Sequence, residues 1–171
     1  MSADAGMMLA MPPMPLAAVE NAIRASWAGD TCDPDDLPNW RPDNPARGQC
    51  GVTALVIHDL LGGELILGEV YVNGQKEGHH WWNRFASGLE IDLTREQFHP
   101  HEHVTPGKPV VRPPGPPNRC REQYETLRNR VMAQLGAGSL DERRTSYTSA
   151  NTARWPASGL RHGPSNPPAT Y

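Results

Sequence analysis

The chain has 171 residues, enough for one domain with a core of its own, and its net charge of −3 comes with scattered Lys and Arg residues. This distribution excludes a basic nucleic-acid-binding face, and no segment approaches the roughly 20 apolar residues of a membrane span. Apolar residues make up only 37 %, which predicts that part of the chain lies outside the core.

The N-terminal segment is not typical of a signal peptide. It contains Asp4, has no Lys or Arg before its apolar stretch, and is interrupted by prolines. The three cysteines, Cys32, Cys50 and Cys120, cannot all pair within one chain. These features favour a reduced, cytoplasmic location.

The composition predicts one ordered domain over residues 15–136. Residues 1–14 and 137–171 are predicted to be disordered, because the tail in particular is rich in Ser, Thr, Pro, Gly and Arg and has few aliphatic residues. Binding of a partner by the C-terminal tail is a possible role for it, with solvated polypeptide as the simpler interpretation.

The elements in chain order predict an α+β fold. Helical spacing of apolar residues predicts a helix over 15–27, and a long polar loop containing Trp40 follows it. The segment RGQCGVTALVIHDLLGG then predicts a helix that begins at Cys50 and stops at two glycines. This helix is apolar on most of its circumference, which is typical of a buried central element.

The sequence of the second half of the domain predicts a small antiparallel meander and a final helix. Strands are predicted at 64–72, 79–85 and 89–93, with an Asn-Gly hairpin after the first. The motif TREQ predicts a capping box and a short helix at Thr94. Residues 105–118 are predicted to be an extended proline-rich connector, and a packing helix ends at Gly136.

Cys50 is the candidate nucleophile because it lies at the first turn of a buried helix. The free N–H groups there carry the positive end of the helix dipole, which favours a thiolate. The same amides are placed to receive an oxyanion. The alternative is that Cys50 is a small buried hydrophobe, as free cysteines often are.

A cysteine nucleophile needs a base, and the candidates are His79 and His80. His58 is excluded because it lies eight residues further along the same helix, about 12 Å away. A hairpin connection centred on Ala86 would place His80 directly opposite Asp92, where a carboxylate can orient the imidazole. A two-residue turn would remove that pairing.

The runs GQCGVTALVIHDLLGGEL and HHWWNRFASGLEIDLTREQF resemble the YunG-like family of small bacterial proteins. His80, Trp82, Asn83 and Asp92 fall on the blocks H-x-W-N and (I/V)-D-L-T-x-x-Q-F of that family, which also has a Q-C block. The resemblance spans roughly residues 22–98 and implies no particular reaction.

More broadly, the order of Cys50, His80 and Asp92 is similar to that of papain-like and transglutaminase-like enzymes. The resemblance implies a papain-like core, with Cys50 as nucleophile, His80 as base and Asp92 as the residue that orients it. It also implies an amide side chain for the oxyanion; the nearest ones, Gln49 and Asn44, do not match the usual spacing. Further candidates for substrate binding are Asn83 and the aromatic residues that would wall the cleft, Trp40 and either Trp81 or Trp82.

The sequence therefore predicts a cysteine-dependent hydrolase or acyltransferase acting on a small-molecule or peptide acyl substrate without a cofactor. Two alternatives stay open: a non-catalytic binding module on the same fold, and a metal-binding protein. The metal hypothesis rests on His99, His101 and His103, which would share one face of an extended segment. Cys32 and Cys120 are interpreted as packing or surface residues.

Overall fold

The structure, a computed structural model, describes residues 14–136. These residues form an α+β fold of three α-helices and a five-stranded antiparallel sheet. The helices are α1, Leu16–Arg24; α2, Cys50–Leu61; and α3, Arg121–Gln134. The strands are β1, Glu64–Val72; β2, Gln75–Arg84; β3, Glu90–Ile91; β4, Glu102–Val104; and β5, Lys108–Val110.

The terminal segments predicted to be disordered lie outside the described residues, with the exception of Met14, which packs against the core. Within the described part of the chain, 14–136, no helix is long and apolar enough to cross a membrane.

Helix α2 is the central element of the core. It begins at Cys50 and ends before Gly62, as the sequence predicts, and its first two turns are buried from Val52 to Ile57. The apolar side chains of α1 and α3 pack around it, and Trp27 donates a hydrogen bond to Thr53 of α2 at 2.9 Å. Because α2 is enclosed on most sides, its N-terminus is held in a fixed position relative to the sheet.

The sheet contains the predicted meander and two strands that were not predicted. The strand order is β3-β2-β1-β4, and β5 also pairs with β1. The β1–β2 hairpin turns at Asn73 and Gly74, both with positive φ, as the Asn-Gly motif predicts. The segment predicted to be only an extended connector therefore adds β5, and the segment after the TREQ motif adds β4, to the free edge of β1.

The two faces of β2 have different neighbours. Trp81 packs in the core against the helices, and Asn83 donates from Nδ2 to the carbonyl of Ala54 in α2 at 3.0 Å. His80 and Trp82 lie on the opposite face, where their rings stack. Strand β3 pairs only with the last two residues of β2, so it does not run alongside His80.

Candidate active site

Cys50 is the first residue of α2 and is half-buried. The chain enters the helix through Gly48, whose φ of +69° is left-handed. A Cβ at this position would lie 2.5 Å from Sγ of Cys32 and 2.8 Å from Cβ of Asp36, so only glycine fits. The close packing of Gly48 against Cys32 and Asp36 therefore fixes the position of Cys50 at the start of the helix.

The first turn of α2 faces a cavity of about 340 Å³. The first hydrogen bond of the helix runs from the N–H of Thr53 to the carbonyl of Gln49, so the amides of residues 50–52 have no acceptor within the helix. The thiol of Cys50 and the open amides of the first turn thus border the same space. The cavity is lined by Asp33, Asp36, Gly48, Cys50, Gly51, Val52, His79, Trp81, Arg119 and Cys120.

His80 is fully buried and held from several sides. Its Nε2 atom lies 2.8 Å from Oδ2 of Asp92. The ring stacks on Trp82, with centroids 5.5 Å apart, and meets Phe98 edge-on at 4.8 Å. The other carboxylate oxygen of Asp92 accepts from the backbone N–H and the hydroxyl of Thr94, so the carboxylate is itself oriented.

The contact between His80 and Asp92 is present, but the predicted strand register is wrong. Asn83 pairs with Ile91, which centres the hairpin on Ser87 and leaves Asp92 offset from His80 along the ladder. Asp92 lies just beyond the end of β3, where the chain turns into a 3₁₀ helix. That turn, together with the Thr94 hydrogen bonds, brings the carboxylate back to the imidazole.

Cys50 influences the pKa of His80 and not that of His79. Burial alone lowers the pKa of His80, but its hydrogen bonds with Asp92 and Cys50 and the charges of both residues raise the pKa to about 9. The pKa of His79 is lowered by burial and by Lys76, and Cys50 is not among the groups that influence it. His79 lines the cavity, whereas Cys50 raises the pKa of His80.

Gln97 is a buried member of the site that the sequence patterns assigned to another role. The TREQ motif predicts that Gln97 caps the following helix, yet no side-chain cap is formed there. Its Nε2 atom donates to the carbonyl of Thr94 at 3.0 Å and lies 3.3 Å from Nδ1 of His80, while Oε1 accepts from the N–H of Gly48 at 3.3 Å. The sequence alone does not reveal this role, because it depends on the burial of Gln97 beside His80 in the folded structure.

The two amides predicted to serve an oxyanion are engaged elsewhere. Gln49 is fully buried, and its Nε2 atom donates to the carbonyl of Ala28 at 2.9 Å. Asn44 donates from Nδ2 to the backbone carbonyl of Gln97 at 3.1 Å. Neither residue lines the cavity, so both side chains brace the loops around the site and are not directed into it.

The other predicted substrate-binding residues also support the site from outside. Trp40 donates to the carbonyl of Pro45, and Trp82 stacks on His80 while it donates to Glu90 at 2.8 Å. Asn83 ties β2 to α2 and is fully buried. Of the aromatic candidates for the cleft wall, it is Trp81 that lines the cavity.

The remaining cysteines differ from Cys50 in their surroundings. Cys32 is buried, and burial with the charges of Asp36 and Asp33 raises the pKa of its thiol to about 12. Burial, followed by the charge of Asp33, raises the pKa of Cys120 to about 11. Both thiols therefore stay protonated over the neutral range, which agrees with a packing role.

The histidine run does not have the predicted extended geometry. The N–H of Glu102 bonds to the carbonyl of His99, which closes a turn, and only His103 lies within a strand. The rings of His99 and His101 stack at 5.7 Å. No group of three His, Cys, Asp or Glu side chains in the described part of the chain is arranged to hold a metal ion.

A family model described as YunG protein matches residues 15–136, which is more than two thirds of the chain. The chain belongs to the YunG family. A relative in Bacillus subtilis (strain 168), described as uncharacterized protein YunG, is 32 % identical to this chain over 122 residues. The match covers 70 % of this chain and 93 % of the relative. No solved structure matches the chain significantly.

All the residues of the site described above lie within the range that matches the YunG family. The description of the Bacillus subtilis relative names no reaction. The chemistry therefore has to be inferred from the arrangement of Cys50, His80, Asp92 and Gln97.

Proposed function

We propose that the protein is a cysteine-nucleophile acyl-transfer enzyme that acts on an amide, ester or thioester through a thioester intermediate. The observation that carries the proposal is the arrangement of three side chains: Cys50 at the start of α2 raises the pKa of His80, and Nε2 of His80 lies 2.8 Å from Oδ2 of Asp92. A half-buried thiol, an imidazole and an oriented carboxylate are the three parts that nucleophilic acyl transfer by cysteine requires.

In the first step, the thiolate of Cys50 attacks the carbonyl carbon of the substrate and a carbon–sulfur bond forms. The carbonyl electron pair moves to oxygen, which the free amides of the first turn of α2 are placed to receive. His80, as imidazolium, gives its proton to the leaving amine, alcohol or thiol as the bond to that group breaks. The product at this stage is a thioester on Cys50.

In the second step, water or an amine attacks the thioester and gives its proton to His80. The carbon–sulfur bond breaks and Cys50 leaves as a thiolate, which restores the starting state. With water the enzyme is a hydrolase, and with an amine it is an amide-forming acyltransferase. Asp92 stabilises the imidazolium in both steps without itself taking the proton.

The order of a cysteine at a helix start, a histidine on a strand and an aspartate after the next strand supports a papain-like arrangement. The helix is buried and packs on an antiparallel sheet, as the resemblance implies. The oxyanion site differs from that pattern, because Gln49 and Asn44 are engaged by backbone carbonyls. We assign it to the backbone amides of α2 instead.

The proposal is tested by alkylation of the protein with iodoacetamide across a pH series, with each cysteine followed by peptide mass spectrometry. We expect Cys50 to be labelled at about pH 6, well below the pKa of about 8.5 of a free thiol. Cys32 and Cys120 serve as controls within the same molecule, because their raised pKa values keep them protonated. Labelling of Cys50 no faster than of these two would instead indicate a non-catalytic binding module.

A further inference from the structure

The side chain of Gln97 touches the ring nitrogen of His80 that does not face Asp92. Nε2 of His80 is bonded to the Asp92 carboxylate, and Nδ1 lies 3.3 Å from Nε2 of Gln97. Gln97 is 3 % exposed, so its amide group has no access to water that could replace these contacts.

The orientation of the Gln97 amide is fixed by two backbone partners. A backbone N–H can only donate and a backbone carbonyl can only accept. The oxygen of the amide must therefore be the atom that faces the N–H of Gly48, and the nitrogen must be the atom that faces the carbonyl of Thr94. Rotating the amide by half a turn would place donor against donor at Gly48 and acceptor against acceptor at Thr94.

It follows that an N–H group of Gln97 points at Nδ1 of His80. Nδ1 can accept this hydrogen bond only when it carries no proton. Protonation of Nδ1 would break this bond and set the N–H of the ring against the N–H of Gln97. The ionisable side chains that act on His80 are Cys50 from α2 and Asp92 from the turn after β3, and its other neighbours, Trp82 and Phe98, are uncharged.

We propose that Gln97 is a positioning residue that controls where the proton of His80 lies: it holds the neutral ring with its proton on Nε2 and opposes protonation of Nδ1. Resting on the proposed function, this makes the Nδ1 proton of the imidazolium easier to pass to a leaving group, because Gln97 opposes the effect of Cys50 and Asp92, which both favour the charged ring. A general acid works best when it does not bind its proton too tightly at the working pH. The link from Gln97 to Gly48 also couples the ring to the loop that presents Cys50.

The test is nitrogen-15 NMR of the full chain with labelled histidine. In the wild-type protein above the titration midpoint of His80, we expect Nε2 to show the shift of a protonated ring nitrogen and Nδ1 that of an unprotonated one. In Gln97→Met, which keeps the bulk and removes the donor, the midpoint should rise by up to about one pH unit, the equivalent of one neutral hydrogen bond. Gln97→Glu, which places an acceptor at Nδ1, should raise it further.

Glu96→Gln is the matched control. Glu96 lies in the same 3₁₀ helix and is bonded to Arg24 at 2.6 Å, but it does not touch the ring. An unchanged midpoint in Gln97→Met, a lowered one, or an equal rise in Glu96→Gln would overturn the proposal. A wild-type ring with its neutral proton on Nδ1 would overturn it without any variant.

These outcomes are separate from those of the alkylation experiment. If Cys50 does not react selectively while the ring nitrogens behave as expected, acyl transfer fails and the role of Gln97 in placing the proton stands. If Cys50 reacts selectively while the nitrogen shifts do not follow Gln97, the acyl-transfer function stands and the positioning role is lost.

Discussion

Nε2 of His80 and Oδ2 of Asp92 are 2.8 Å apart, although Asp92 lies beyond the last residue of β3 and outside the strand ladder. The contact depends on the turn that follows β3 and on Thr94, which bonds the second oxygen of the same carboxylate. The histidine is completely buried and the aspartate is partly exposed. A buried imidazole with one partly solvated partner is sensitive to any change in that partner.

Replacing Asp92 with Asn should lower the rate of hydrolysis of p-nitrophenyl acetate by about 10²- to 10⁴-fold, because the neutral amide stabilises the imidazolium less. The rate is followed from the release of p-nitrophenol. Glu90→Gln is the control, since Gln can still accept the hydrogen bond of Trp82. Equal losses in the two variants would argue against a role of Asp92 in holding His80.

Replacing Cys50 with Ala should abolish hydrolysis of the same ester and leave the fold intact. The thiol is half-buried at a helix entrance and fills no space deep in the core. The melting temperature, followed by circular dichroism, should therefore change little. Cys120→Ala, which also alters the cavity wall, should keep most of the activity, and loss of activity in that variant alone would reassign the nucleophile.

The stability of the protein should fall between about pH 6.5 and pH 9 because of His80. The folded state binds the His80 proton more tightly than the unfolded chain, whose ordinary pKa is 6.5, against a pKa of about 9 after folding. The contribution is complete below pH 6.5 and is lost as the pH rises through 9. Urea unfolding at a series of pH values measures it, and in Asp92→Asn the upper end of this window should move to lower pH.

A second loss of stability should begin near pH 9 and continue to about pH 12. The ordinary pKa of the Cys32 thiol is 9.0, and burial raises it to about 12 in the folded state. In this range the unfolded chain loses the proton while the folded protein keeps it, so rising pH favours unfolding. In Cys32→Ala this part of the pH dependence should be smaller, and an unchanged slope above pH 9 would contradict the assignment.

Gly48→Ala should destabilise the protein more than Gly74→Ala does. Both glycines have positive φ, so both variants pay the backbone strain of about 1–2 kcal/mol. A Cβ at Gly74 meets nothing within 4 Å, whereas at Gly48 it would lie 2.5 Å from Sγ of Cys32. Urea unfolding at neutral pH compares the two, and equal losses would show that the loop before Cys50 can move aside.

Local patterns were sufficient to predict the elements that carry Cys50 and His80. The apolar run between Cys50 and the two glycines predicts α2, and the aliphatic and β-branched residues of 64–72 with the Asn-Gly turn predict β1 and the hairpin. These signals are strong because each lies within a short stretch of chain. Their agreement with the structure explains why the neighbourhood of Cys50 and His80 could be inferred from the sequence.

Interactions between distant segments could not be predicted in the same way. Strands β4 and β5 have three residues each, and β5 contains Pro109, so they carry no periodic signal and form only because β1 offers a free edge. The register of β2 and β3 depends on where the five-residue connection turns. The motif TREQ is equally compatible with a capping box and with the buried contacts that Gln97 makes.

Because His80 stacks on Trp82, the fluorescence of Trp82 should depend on the protonation state of His80. A protonated imidazole quenches the fluorescence of an indole in contact with it, and a neutral one quenches far less. With the two ring centroids 5.5 Å apart and the planes inclined by 26°, the emission of Trp82 should brighten as His80 loses its proton. The protonation state of His80 can then be followed through the fluorescence of Trp82 on the stopped-flow time scale.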